Sequence, residues 1–171
     1  MNVQGLQKLT LLDYPGKVAC TVFLAGCNFR CPFCHNASLV THIDAEAEIP
    51  KEEVLSFLKK RSGVLDGVCI TGGEPLLAPD LADFIREIKR MGYAVKLDTN
   101  GSHTEKLKLL IEAGLIDYVA MDIKNAPGKY AVTVGLSDYD PANVIESAAY
   151  LMAGDIPYEF RTTVVREFHK R

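Results

Sequence analysis

Residues 18–36 read VACTVFLAGCNFRCPFCHN, and the architecture hangs on how this stretch is parsed. Val18 to Leu24 is a β-branched and aromatic run of strand length. Three cysteines follow at once, Cys27, Cys31 and Cys34, in a turn rich in Gly, Asn and Pro. Thiolates are soft ligands for iron–sulfur clusters, zinc or Cu(I), and three within eight residues are too crowded for a disulfide framework. A structural zinc wants four protein ligands, and His35 adjoins Cys34 too closely to share its metal. The residues alone leave three readings open: a 4Fe-4S cluster with one iron free, a zinc site, or simple buried thiols. Cys20 and Cys69 lie inside apolar runs and read as small buried hydrophobes.

Working outward, strand-like and helix-like patterns alternate. A helix opens at Ile49-Pro50 with Val54, Leu55 and Leu58 on its apolar side. Gly67 to Thr71 is a second strand, ended by Gly72-Gly73, and Pro79-Asp80 begins a helix with Leu81, Phe84, Ile85 and Ile88 facing inward. Ala94 to Leu97 is a third strand before the turn Asp98-Thr99-Asn100-Gly101, and a helix follows over Thr104 to Ala113. Tyr118 to Ile123 is a fourth strand, and the long stretch Lys124 to Tyr139 reads as a functional or mobile loop. The last helix, after Asp140-Pro141, would turn Val144, Ile145, Ala148, Ala149 and Met152 inward. Tyr158 to Val165 is a fifth strand. Such alternation predicts an α/β fold with a parallel sheet covered by helices, wound either as an open sheet or as a partial barrel.

Composition bounds the function. The 171 residues suit one domain, 1–171, and 19 Lys+Arg against 22 Asp+Glu offer no basic excess for nucleic acid or an anionic membrane. No apolar run reaches membrane-spanning length, and Met1 to Leu12 lacks the apolar core of a signal peptide, so a cytoplasmic location is expected.

Three further segments sit where α/β sheets bind ligands, at the carboxyl ends of strands. Thr71-Gly72-Gly73-Glu74-Pro75 combines a backbone free of Cβ atoms with a carboxylate. Asp98 opens the turn after the third strand, and it alone would pass as turn chemistry. Asp122 and Lys124 share a face by alternation and would suit a rim ion pair.

The spacing Cys27-x3-Cys31-x2-Cys34 with Phe33 between the last two cysteines is the signature of the radical S-adenosylmethionine superfamily. The longer run from Asp13 to Asn36, DYPGKVACTVFLAGCNFRCPFCHN, resembles the activating enzymes of glycyl radical enzymes, above all that of anaerobic ribonucleoside-triphosphate reductase. This resemblance covers Leu9 to Val165. It implies a partial (β/α)6 TIM-like barrel without its last β/α unit, hence a C-terminally shortened domain. It implies a 4Fe-4S cluster on Cys27, Cys31 and Cys34, and S-adenosylmethionine held near Phe33, Gly72, Gly73, Glu74, Asp98, Asp122, Lys124 and Arg161. In that family the Glu of the GGEP segment contacts the cofactor's amino group and the Lys of D-x-K its carboxylate.

The chemistry implied is reductive cleavage of the sulfonium to a 5'-deoxyadenosyl radical that takes a hydrogen from a glycine of a partner enzyme. No side chain beyond the cluster site is expected to be catalytic, and His42 and His103 read as surface or turn residues. The implied partners are a glycyl radical enzyme and an electron donor such as flavodoxin or ferredoxin, without nucleic acid or membrane. Two other outcomes stay open: a cluster-binding or accessory protein without radical output, and radical chemistry on a small molecule. His169 follows the last strand too closely to replace the cofactor-contacting histidine that family members carry further on.

Overall fold

The computed structural model describes residues 1–169. Its sheet has six strands in the order β1-β2-β3-β4-β5-β6: Val3–Thr10, Ala19–Leu24, Gly67–Gly72, Ala94–Thr99, Tyr118–Asp122 and Tyr158–Arg161. Strands β2 to β6 run parallel, each beside the next in sequence, and β1 lies antiparallel on the outer edge of β2. The six helices are α1 (Ser38–Thr41), α2 (Lys51–Lys60), α3 (Leu81–Arg90), α4 (Thr104–Glu112), α5 (Tyr130–Thr133) and α6 (Ala142–Ala153). The result is a partial, open β/α barrel rather than a closed ring, as the resemblance implied. Among the described residues no helix is long and apolar enough to cross a membrane.

Strand alternation divides the sheet into two faces. Cys20, Val22 and Leu24 of β2, Val68 and Ile70 of β3, Val95 and Leu97 of β4, and Val119 and Met121 of β5 join the helix-side core. Helix α3 contributes Leu81, Phe84, Ile85 and Ile88, all buried, at about 1.5–3 kcal/mol each. The opposite, inner face is polar. Register sets Thr21 beside Cys69, Cys69 beside Lys96, and Lys96 beside Tyr118.

Five expectations change. Strand β1 was not anticipated, because VQGLQKLT has little apolar alternation and is defined by pairing with β2 rather than by its own pattern. The third strand continues through Asp98 to Thr99, while the last stops at Arg161 instead of Val165. Helix α6 is rotated from the expected face: Ile145, Ala149 and Met152 are exposed, and Ser147 and Leu151 are buried. The Ser147 hydroxyl bonds the Gly101 carbonyl at 2.8 Å and lies 2.9 Å from the Thr104 hydroxyl. A satisfied polar contact therefore orients this helix against the apolar count. Finally, Lys124 to Tyr139 is no open loop, since a 3₁₀ turn (Pro127–Lys129) leads into α5 and Tyr130 and Thr133 are buried.

Candidate functional site

The loop after β2 is held from three sides. The Gly26 N–H donates to the Leu39 carbonyl at 2.8 Å, and the Gly26 carbonyl accepts from the Glu74 N–H at 2.7 Å. The Arg30 N–H donates to the Val134 carbonyl at 2.8 Å, and the Arg30 guanidinium caps the carbonyls of Cys27 and Phe29 at 2.6 and 2.8 Å. Asn28 donates to the Ser102 hydroxyl and accepts from the Asn100 amide, both at 2.9 Å. Gly135 permits this closeness, since a Cβ there would collide with the Arg30 carbonyl. Phe29 is buried edge-on against Tyr139, with centroids 5.0 Å apart, and against Tyr130 at 6.4 Å.

Cys27, Cys31 and Cys34 are free thiols, partly buried. Burial pushes the Cys27 thiol up to about 11 and raises Cys31, though Lys124 pulls the latter down. Among the described residues no three His, Cys, Asp or Glu side chains converge on one point. Three thiols on one loop are soft donors of the kind that iron–sulfur clusters take.

The thiols open on a cavity of about 450 Å³. Its walls also include Phe33, Gly72, Gly73, Asp98, Asp122, Lys124 and Arg161, so all the sequence-expected residues but Glu74 meet there. Lys124 pairs with Asp122 at 2.7 Å. Burial disfavours the Lys124 charge, but Asp122 more than offsets this and its pKa is raised. Arg161 reaches Asp98 at 3.2 Å and Glu159 at 2.7 Å. Phe33 tilts against Phe168 at 5.6 Å, and His169 turns back to donate from Nε2 to the Lys124 carbonyl at 2.9 Å. His169 does not line the cavity.

Glu74, expected to reach a cofactor with its side chain, stands behind the wall at 1% exposure. One carboxylate oxygen accepts from the Leu76 N–H at 3.0 Å and the Thr99 hydroxyl at 2.9 Å, the other from the Asn100 N–H at 2.7 Å. The turn begun at Pro75 folds the side chain back as the cap of its own 3₁₀ segment. Glu74 thus staples the end of β3 to the end of β4. Gly73 is packed as tightly, because a Cβ there would run into the Gly26 carbonyl.

Several residues at this site were not singled out from sequence. Asn100 spans Asn28 and the Cys27 thiol, at 2.9 and 3.8 Å, and its place in the Asp98–Gly101 turn was the available signal. Tyr130 accepts the Lys124 N–H at 3.2 Å and ties that strand end to the cysteine loop through Phe29. Cys69 is buried as expected but among polar groups, 3.6 Å from Asp98 and 3.8 Å from Lys96. His42 is exposed, whereas His103 is half-buried at the start of α4.

Comparison with known proteins fits this geometry. The Radical SAM superfamily model matches residues 21–169. The chain belongs to the radical SAM superfamily. It is 39% identical over 132 residues to a protein of Methanocaldococcus jannaschii provisionally named a glycyl-radical enzyme activating enzyme, covering 75% of this chain and 52% of that one. It is 29% identical over 176 residues to the pyruvate formate-lyase-activating enzyme of Listeria monocytogenes, covering 96% and 68%. The chain therefore spans about half the length of the first relative and two thirds of the second. Streptococcus suis SuiB bound to its precursor peptide SuiA shares the fold, with TM-score 0.64 and 17% identity over 86% of this chain and 34% of that one. Radical SAM enzymes typically bind S-adenosylmethionine and an iron–sulfur cluster, and the donors lining this cavity are of the kinds those groups need.

Proposed function

We propose that this chain is a cytoplasmic activase of a glycyl radical enzyme, with anaerobic ribonucleoside-triphosphate reductase as its target and flavodoxin or ferredoxin as its electron source. The observation that carries this reading is the meeting of Cys27, Cys31 and Cys34 with Gly72-Gly73, Asp98 and the Asp122–Lys124 pair around one cavity. Similarity to two proteins named as activating enzymes supports the choice of a protein target over a small molecule.

Cys27, Cys31 and Cys34 would hold a 4Fe-4S cluster, leaving one iron for the amino-acid end of S-adenosylmethionine. When bound, the cluster supplies the electron that splits the sulfonium into methionine and a 5'-deoxyadenosyl radical. The chain's own residues position and shield. Gly72 and Gly73 would offer bare backbone to the cofactor's amino group, and Glu74 keeps that backbone in place from behind. The Lys124 ammonium, with Asp122 as its counter-ion, would meet the cofactor carboxylate. Asp98 and Arg161 form the polar side of the cavity, and Phe33 with Phe168 closes an apolar edge against water.

The test is anaerobic reconstitution with iron and sulfide, reduction, addition of S-adenosylmethionine, and chromatographic measurement of 5'-deoxyadenosine. The chain should form product well above Cys31→Ala, and adding the reductase should produce a glycyl radical signal. A loaded cluster that yields no 5'-deoxyadenosine would sink the enzyme reading and favour a cluster-binding accessory protein. Product with no radical on any glycyl radical enzyme would favour a small-molecule substrate.

A further inference from the structure

We propose that Lys96 is a positioning residue, the permanent counter-ion of Asp98, which leaves Arg161 free to exchange its partners in the cavity. The inference rests on the reading above that Asp98 faces the bound cofactor.

Lys96 is fully buried on the inner face of β4, two residues before Asp98, so both side chains point the same way. Its ammonium lies 2.6 Å from Asp98 Oδ1, and the other polar neighbour found for it is the Cys69 sulfur at 3.8 Å. A buried ammonium with one close anion cannot leave that anion without standing unpaired. Arg161 differs in every respect. It holds Asp98 by longer contacts of 3.2 and 3.5 Å, it is 40% exposed, and it lines the cavity. It also has a second carboxylate, Glu159, at 2.7 and 2.8 Å. The four groups sum to zero charge: Lys96 and Arg161 against Asp98 and Glu159. Should Arg161 turn toward an incoming anionic group, Asp98 keeps the Lys96 contact and its orientation. Without Lys96, Asp98 would claim Arg161 for itself and lose the anchor that aims it at the cavity.

Thermal unfolding of the cluster-free protein and S-adenosylmethionine titration of the loaded protein test this together. Lys96→Met should lower the unfolding temperature by about 10 °C, and Arg161→Met by no more than about 3 °C. Lys96→Met should also weaken S-adenosylmethionine about tenfold at a temperature where the variant is fully folded, as expected when a group that orients a binding side chain is removed. A purely structural lysine would move the unfolding temperature and leave that affinity alone.

Should Lys96→Met fail to fold, the double variant Lys96→Met/Asp98→Asn decides, since it leaves neither charge unpaired and should fold again. Failure of the double variant would overturn the pairing with Asp98. So would an Arg161→Met loss as large as that of Lys96→Met, or an unchanged affinity in Lys96→Met. If the unaltered chain binds no S-adenosylmethionine, the proposed function falls, and the two unfolding temperatures still decide which cation is the fixed partner.

Discussion

The two walls of the cavity are built by different means. On the side of β2, β3 and β4, the strand ends are locked to one another by backbone hydrogen bonds and by Glu74, with no room for a Cβ at Gly73. On the side of β5 and β6, the contacts are charge pairs, Lys124 with Asp122 and Arg161 with Asp98 and Glu159, and their side chains are partly open to solvent. Neutral donors converging on a buried carboxylate make a rigid mould, because breaking any of them leaves an unsatisfied group. An ion pair with one partner open to solvent costs less to break, because water takes over that partner's charge. The first wall therefore sets the shape of the site, and the second supplies charge that a ligand can engage.

If that contrast is right, damage to the first wall should act through the fold and damage to the second through binding. The largest effect is expected for Gly73→Ala, whose methyl group must displace the Gly26 backbone and with it the cysteine loop. It should cost about 3 kcal/mol or more and abolish retention of reconstituted iron, measurable by denaturant unfolding and metal analysis.

Glu74 offers a pH test of the same wall. Burial raises its pKa from 4.5 to about 7, against the Asn100 and Leu76 N–H groups and the Thr99 hydroxyl, which favour the charged form. The folded state then holds this proton more tightly than the unfolded chain does. The stabilising contribution is complete below pH 4.5 and is lost as pH rises through about 7. Between pH 5 and 8 the native chain should lose about 2.5 kcal/mol relative to Glu74→Gln, which carries no such titration. Parallel stability curves for the two proteins would remove Glu74 as the buried staple.

The smallest stability effect belongs to the second wall. Lys124→Met should shift unfolding by less than about 1 kcal/mol while weakening S-adenosylmethionine about tenfold. A large loss of stability with unchanged affinity would erase the distinction between the walls.

Much of the fold was legible from local pattern. The helix-side faces of β2 to β5 and of α3 are apolar at the right period, and burial of apolar surface is strong enough to make that period visible. The expectation failed where a partner rather than the pattern decides: β1 exists by pairing with β2, and α6 turns Ser147 inward for a hydrogen bond. The site shows the same division. Cys27, Cys31, Cys34, Gly72, Gly73, Asp98, Asp122 and Lys124 were all readable as strand-end chemistry, and they do line one cavity. Lys96 was passed over because a lysine inside an apolar strand carries no motif, and only the neighbouring strands show what neutralises it.

From its amino acids alone this chain declares the alternating β/α plan, the three-thiol loop and the strand ends that carry polar residues. Each depends on residue type and short-range spacing, which a linear reading contains. Folding decided which of those polar residues face the cavity and which brace it. Asp98 and Glu74, alike in sequence terms as carboxylates at successive strand ends, were separated by depth of burial and by the donors each met, quantities that exist only once distant segments are packed together.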